Sequence, residues 1–168
     1  MIQNGYRAVI CFIVFVTLNS ILGCKNSVLA ASPPTIAEME NALELHYDDF
    51  VTIANYLLGL KQETVHIGGD GSTLIAGVER YSIKETEITE TVERLRKIGC
   101  NGITMNKSNH SISFELWWSD QDKGCGLAFS MDGEEPSVQF MTELIPLKKE
   151  LWYYYVEDYN LWRINRNG

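Results

Sequence analysis

The sequence predicts an α+β domain, an antiparallel β-sheet built from a meander plus hairpins, with two amphipathic helices packed on one face. Three observations lead there. Apolar residues recur at steps of three and four in two segments, the period falls to two beyond Gly99, and turn-forming clusters separate the alternating runs. Ile36, Met39, Leu43, Tyr47, Phe50, Ala54 and Leu57 form the first helical stripe, with Thr35 and Glu38 at capping-box spacing and Gly59 as its end. Residues 63–67 and 73–81 read as a hairpin around Gly68-Gly69-Asp70-Gly71-Ser72. Ser82 with Glu85 repeats the capping-box spacing, and Ile88, Val92, Leu95 and Ile98 give a second helix that Gly99 stops. Its acidic residues precede Arg94, Arg96 and Lys97, the order that suits a helix dipole.

Past Gly99, alternation marks three strands: Ile103 and Met105; Ile112, Phe114, Leu116 and Trp118; Leu127, Phe129 and Met131. Matching their apolar faces pairs Ile103 with Phe114 and Phe114 with Phe129. Residues 138–145 and 151–156 form a further hairpin around Pro146, and residues 158–168 dock through Leu161, Trp162 and Ile164 before fraying.

Ahead of this domain, residues 36–168, stands an export leader. Residues 8–22 are an apolar run preceded by Arg7, about 15 residues long where a spanning helix needs roughly 20. The run ends in Ile21-Leu22-Gly23-Cys24, which resembles the lipobox of bacterial lipoproteins. That resemblance implies a signal peptide over residues 1–23, diacylation of Cys24 and a flexible tether over residues 24–35, where Pro33-Pro34 favours extended backbone. Ile21 and Leu22 depart from the usual lipobox, so ordinary secretory cleavage near Ala30 or Ala31 stays open. Either route places the domain outside the cytoplasm, as a membrane-anchored lipoprotein or a secreted protein.

Fourteen Lys and Arg against 22 Asp and Glu give a net charge of −8. Cleavage before Cys24 removes only Arg7 and leaves 13 against 22, or −9. Such a surface disfavours nucleic acid, because few phosphates could be neutralised. Attachment to a membrane must then come from a lipid anchor rather than from attraction to anionic headgroups. Of four cysteines, Cys11 lies in the leader, Cys24 is the lipidation candidate, and Cys100 and Cys125 are left as a candidate disulfide in an oxidising compartment. The meander register places them opposite Trp117 and Trp118, roughly 9 to 10 Å apart and beyond the limit of about 7 Å for a bridge. Neighbouring glycines could relax that geometry, and two small buried thiols are the alternative.

Chemistry-bearing motifs are few. The Gly68 to Ser72 cluster lacks the Lys-Ser/Thr ending of a phosphate loop, and Asp120, Asp122 and Gly124 lack the spacing and closing Glu of a calcium loop. The segment from Asp132 to Pro136 reads as a turn, and His46, His66 and His110 fit no catalytic pattern. No cofactor or metal is implied. Glu115, on the non-core face of the middle strand, is the best member of a carboxylate pair for glycan hydrolysis. Trp152, Tyr153, Tyr154, Tyr155, Tyr159 and Trp162 crowd the C-terminal part. Alternation puts Tyr153 and Tyr155 opposite Trp152 and Tyr154. With Trp117 and Glu115 on the sheet's reverse face, Tyr153 and Tyr155 make either a stacking platform for a sugar ring or peptide, or a small second core with Trp162 as its lid.

The segments GCGLAFSMDG at 124–133, LIPL at 144–147, WYYY at 152–155 and YNLWR at 159–163 resemble a family of small exported bacterial proteins without assigned function. The likeness spans most of residues 40–163 and implies a bacterial origin and one compact domain. Two functional readings follow from the sequence. One is a non-enzymatic binding module acting on an envelope polymer or protein, and the other is a small cell-envelope hydrolase using a carboxylate pair.

Overall fold

A computed structural model describes residues 32–76, 83–119 and 122–167. The leader, Cys11, Cys24 and most of the tether lie outside these residues, as do positions 77–82 and Asp120. The order is α1 (Ile36–Leu45), α2 (Tyr47–Leu58), β1 (Thr64–Gly68), β2 (Thr73–Ala76), α3 (Glu85–Lys97), β3 (Gly102–Asn106), β4 (Ser111–Trp118), β5 (Lys123–Ser130), β6 (Met141–Pro146), β7 (Trp152–Asp158) and α4 (Tyr159–Asn167). The fold is α+β, as the hydrophobic periods predict. No described helix is long and apolar enough to cross a membrane.

The first helical stripe is carried by two helices. Thr35 and Glu38 form the expected capping box, but the helical ladder breaks at His46, whose φ of −120° and ψ of 22° lie outside the helical region. Met39 and Leu43 before the break and Phe50, Ile53, Ala54 and Leu57 after it all enter the same core. At the start of α2, Asp49 accepts hydrogen bonds from Arg94 at 3.0 Å and Lys97 at 2.7 Å, which ties α2 to the last turn of α3. These bonds, Lys97's first, hold the Asp49 carboxyl below its ordinary value against the opposing effect of burial. Helix α3 begins at Glu85 after Lys84, later than a Ser82 cap would place it, and no side chain caps it. Its Val92, Leu95 and Ile98 reach the core as expected.

All strand pairs are antiparallel, in the order β2-β1-β3-β4-β5-β7-β6. Ile103 pairs with Phe114, as the matched faces require. Phe114, however, faces Leu127, and Phe129 faces Ile112, a slip of two residues from the expected register. Such a slip keeps every side chain on its face, so alternation alone cannot detect it. The last two strands form the expected hairpin, but β7 is the inner strand beside β5 and β6 takes the edge. The connection from β5 to β6 therefore crosses the sheet.

Helices α1, α2 and α3 cover one face. Phe50 of α2 packs edge-on against Phe114 of β4 at 4.9 Å between ring centroids and against Trp152 of β7 at 5.7 Å, and Phe129 lies 5.1 Å from Trp152. The C-terminal segment is a helix rather than a fraying tail. Asp158 accepts a hydrogen bond from the Leu161 amide at 2.9 Å, and Tyr159 and Trp162 each place a ring 4.9 Å from Phe140. Leu161 and Ile164, expected to dock, are exposed on its other side.

Candidate functional site

The second face of the sheet is where alternation leaves the polar residues. A continuous row of paired positions runs Leu74, His66, Thr104, Ser113, Ala128, Tyr153 across six strands. One step along each strand axis, the row is Gly68, Gly102, Glu115, Gly126, Tyr155 and Leu144. In the first row, small residues in the middle and larger ones toward the sides make this part of the face a trough.

The crossing connection forms one wall. Ser137 donates its amide to the Asn109 carbonyl at 3.0 Å, and Ser111 donates its hydroxyl to the Ser137 carbonyl at 2.9 Å. Ser130 donates to the Glu134 carbonyl at 2.7 Å and accepts from the Gly133 amide at 2.9 Å. Val138 is thereby pressed onto Ala128 and Tyr155, with Tyr153, Met141 and Leu144 around them. The back of the sheet thus holds a small second core beside an open cleft of about 580 Å³. Its floor includes Thr64, His66, Thr104, Asn106, Ser111 and Ser113, its wall is residues 137–140, and its far end holds Glu115, Trp118 and Glu157.

A β-bulge decides which tryptophan reaches it. Glu115 pairs with Gly126, but Trp117 pairs with Cys125, so Leu116 is the extra residue on β4. Beyond the bulge every side chain changes face. Trp117, expected on the reverse face with Glu115, packs against the helix-side core, and Trp118, expected in that core, lines the cleft and is 38% exposed. Its ring covers Gly124 so closely that a Cβ there would overlap it.

Glu115 is the predicted site residue that the cleft retains. Its Oε1 lies 4.0 Å from His66 Nδ1, which in turn is 2.9 Å from Thr104 Oγ1. Burial raises the Glu115 carboxyl above its ordinary range, and His66 partly offsets this. Glu157, on the same face two strands away, is only 9% exposed, and among the described residues its carboxylate has neither a hydrogen bond nor an ion pair. Burial first, and then the charge of Glu115, push Glu157 up to about 7.

The tyrosines do not form a platform. Tyr155 is 1% exposed and donates its hydroxyl to the Phe114 carbonyl at 3.4 Å, and burial holds that hydroxyl far above its usual range. Gly126 leaves the room it needs, since a Cβ there would lie 2.9 Å from the Tyr155 oxygen and overlap the Phe114 carbonyl. Tyr153 is half-buried against the second core. Trp162 packs on Phe140, at the cleft wall, rather than closing that core.

Cys100 and Cys125 are free, buried thiols, so the candidate disulfide is not formed. Burial pushes them up to about 12 and about 11 respectively. Of the histidines, His46 sits at the helix break and His110 meets Asp132 at 2.5 Å in the turn beside the wall. Asp70 accepts the Ser72 amide at 2.8 Å and Gly71 has φ of +92°, which makes the glycine cluster a hairpin turn. Among the described residues no three His, Cys, Asp or Glu side chains gather closely enough to hold a metal ion.

His66, Trp118 and Glu157 are the cleft residues that motif reasoning passes over. Their signal was the polar half of each alternation, Thr64 and His66, Thr104 and Asn106, Ser111 and Ser113, read as one surface. In comparisons with known proteins, the chain matches no family model, no curated protein and no solved structure.

Proposed function

We propose that the protein is an extracytoplasmic binding module, anchored to a membrane by lipid on Cys24, whose cleft takes a hydroxyl-rich envelope polymer, a glycan, without covalent chemistry or a cofactor. The observation that carries this reading is the lining of the cleft. Asn101, Asn106, Asn109 and Gln139 offer amides, the serines and threonines offer hydroxyls, and Trp118 offers an exposed ring at one end. A sugar exchanges hydrogen bonds with amides and hydroxyls, and its apolar face stacks on indole. The net charge of −8 argues against nucleic acid as the occupant. The lipobox-like Ile21-Leu22-Gly23-Cys24 and the short apolar leader support the location, since two acyl chains hold a protein stably at a bilayer.

Two measurements test this. Tryptophan fluorescence of the membrane-extracted protein, titrated with soluble envelope glycan fragments, is expected to change saturably and to lose that change in Trp118→Ala. No response to any fragment would contradict the glycan reading. Intact mass is expected to show a diacylated chain starting at Cys24, whereas an unmodified chain starting after Ala30 or Ala31 would refute the anchor.

A second reading is favoured by one observation, the presence of two raised carboxyls, Glu115 and Glu157, in a concave site. Their strands lie two spacings apart, about 10 Å, on the same face of the sheet. Here the module is a small cell-envelope hydrolase, with Glu157 as acid and Glu115 as base. Release of reducing ends from the same fragments, abolished in Glu115→Gln, would support hydrolysis over simple binding.

A further inference from the structure

We infer that the acidic end of the cleft seats a protonated amine of the ligand, so that the glycan it takes carries free amino groups rather than acylated ones. This deepens the glycan reading and rests on it. Four observations point to an ammonium group. First, Glu157 is a nine-tenths buried residue that lines the cleft, and among the described residues no hydrogen bond or ion pair holds its carboxylate. An acid so placed has only solvent at the cleft as a partner, which an incoming charged donor would replace with a stronger bond. Second, Glu115 stands on the same face, with His66 Nδ1 4.0 Å from its carboxylate. Third, among the described residues no lysine or arginine lines the cleft, and Lys123, the basic residue at the neighbouring end of β5, is engaged by Asp158 at 3.2 Å.

The fourth observation concerns shape. The residues of β5 between the two carboxylates are Gly126 and Gly124, and Gly102 lies beside Glu115. A Cβ on Gly124 would come within 3.2 Å of Glu157 Oε2 and would overlap Trp118, while one on Gly102 would come within 3.5 Å of Glu115 Oε2. Glycine at these positions lets the Trp118 ring and the Tyr155 hydroxyl lie close against the sheet beside the carboxylates. An ammonium group brings three donors and a charge to the Glu157 carboxylate, and the Trp118 ring that lies over Gly124 beside it adds a face that attracts cations. A hydroxyl would satisfy one acceptor at a time. A metal ion is disfavoured because the three titratable groups do not converge as ligands.

The test compares a glucosamine trimer with its N-acetylated counterpart, titrated calorimetrically into the full-length protein at pH 6.5, with cadaverine as a simple amine. The amino trimer is expected to bind at least tenfold more tightly than the acetylated one. Glu157→Gln should erase that preference, and an unchanged circular dichroism spectrum shows that the variant is folded. Equal binding of the two trimers, or preference for the acetylated one, overturns the amine seat and leaves the glycan reading standing. Binding of cadaverine without either trimer supports the seat and overturns the glycan reading. No binding of any of the three overturns both.

Discussion

Glu115 on β4 and Glu157 on β7 lie on the open face of the sheet, and each pairs with a glycine of the intervening strand, Glu115 with Gly126 under the Tyr155 hydroxyl and Glu157 with Gly124 under the Trp118 ring. Two carboxyls are thereby placed in a partly enclosed cleft, with His66 beside Glu115. Burial opposes ionisation of both, and on Glu157 the charge of Glu115 adds to it.

That arrangement makes stability fall with pH. Glu157 is raised from an ordinary 4.5 to about 7, so its protonated form favours the fold below the unfolded value, and this contribution is lost as pH rises through 7. Glu157→Gln, neutral at every pH, is expected to be about 1–3 kcal/mol more stable than the parent at pH 8 and indistinguishable from it at pH 4.5. Urea unfolding at the two pH values checks this. Glu115, also raised, works in the same direction.

The bulge at Leu116 gives adjacent tryptophans opposite consequences. Trp117→Ala removes a ring packed on the helix-side core and is expected to cost about 2 kcal/mol. Trp118→Ala removes an exposed ring and is expected to cost less than about 1 kcal/mol while abolishing glycan-dependent fluorescence change. Thermal melts of both variants decide the point, and equal losses would argue against the change of face.

Gly126 is predicted to be irreplaceable. A Cβ there would overlap the Phe114 carbonyl on the neighbouring strand and crowd the Tyr155 hydroxyl, neither of which is the free end of a flexible side chain. Gly126→Ala should lose about 3 kcal/mol or more, or fail to fold, and Tyr155→Ala should lose about 3–5 kcal/mol from the second core. Expression yield and chemical denaturation report both effects.

The two buried thiols are expected to be inert. With Cys100 up to about 12 and Cys125 up to about 11, neither forms thiolate at pH 8 while folded. Mass spectrometry after iodoacetamide treatment should show no alkylation at Cys100 or Cys125 in native protein and two additions there in denaturant. Rapid native labelling of either would contradict the packing around them.

Legibility followed the physics of each feature. The capping box at Thr35, the stripe from Val92 to Ile98 and the pairing of Ile103 with Phe114 depend on local spacing or on matched apolar faces, and such signals are written in consecutive residues. The break at His46 has no glycine or proline to announce it, because packing of α2 and the bonds of Asp49 to α3 set its position. The inner position of β7 arises from the crossing connection that seats Val138 on Tyr155, a contact between residues that no pattern links. For the site, alternation gave Glu115 its correct face but failed two residues later, since one unpaired residue at Leu116 exchanges Trp117 for Trp118. Glu157 stayed hidden because its importance depends on β7 lying beside β5.

The measurement that bears most directly on the cleft as the working surface is chemical-shift mapping of the isotopically labelled protein with soluble envelope glycan fragments. The account predicts saturable shifts confined to His66, Thr104, Ser113, Glu115, Trp118 and Gln139 and their immediate neighbours. Shifts centred on the exposed sides of α1 to α3, or no shifts with any fragment, would contradict it.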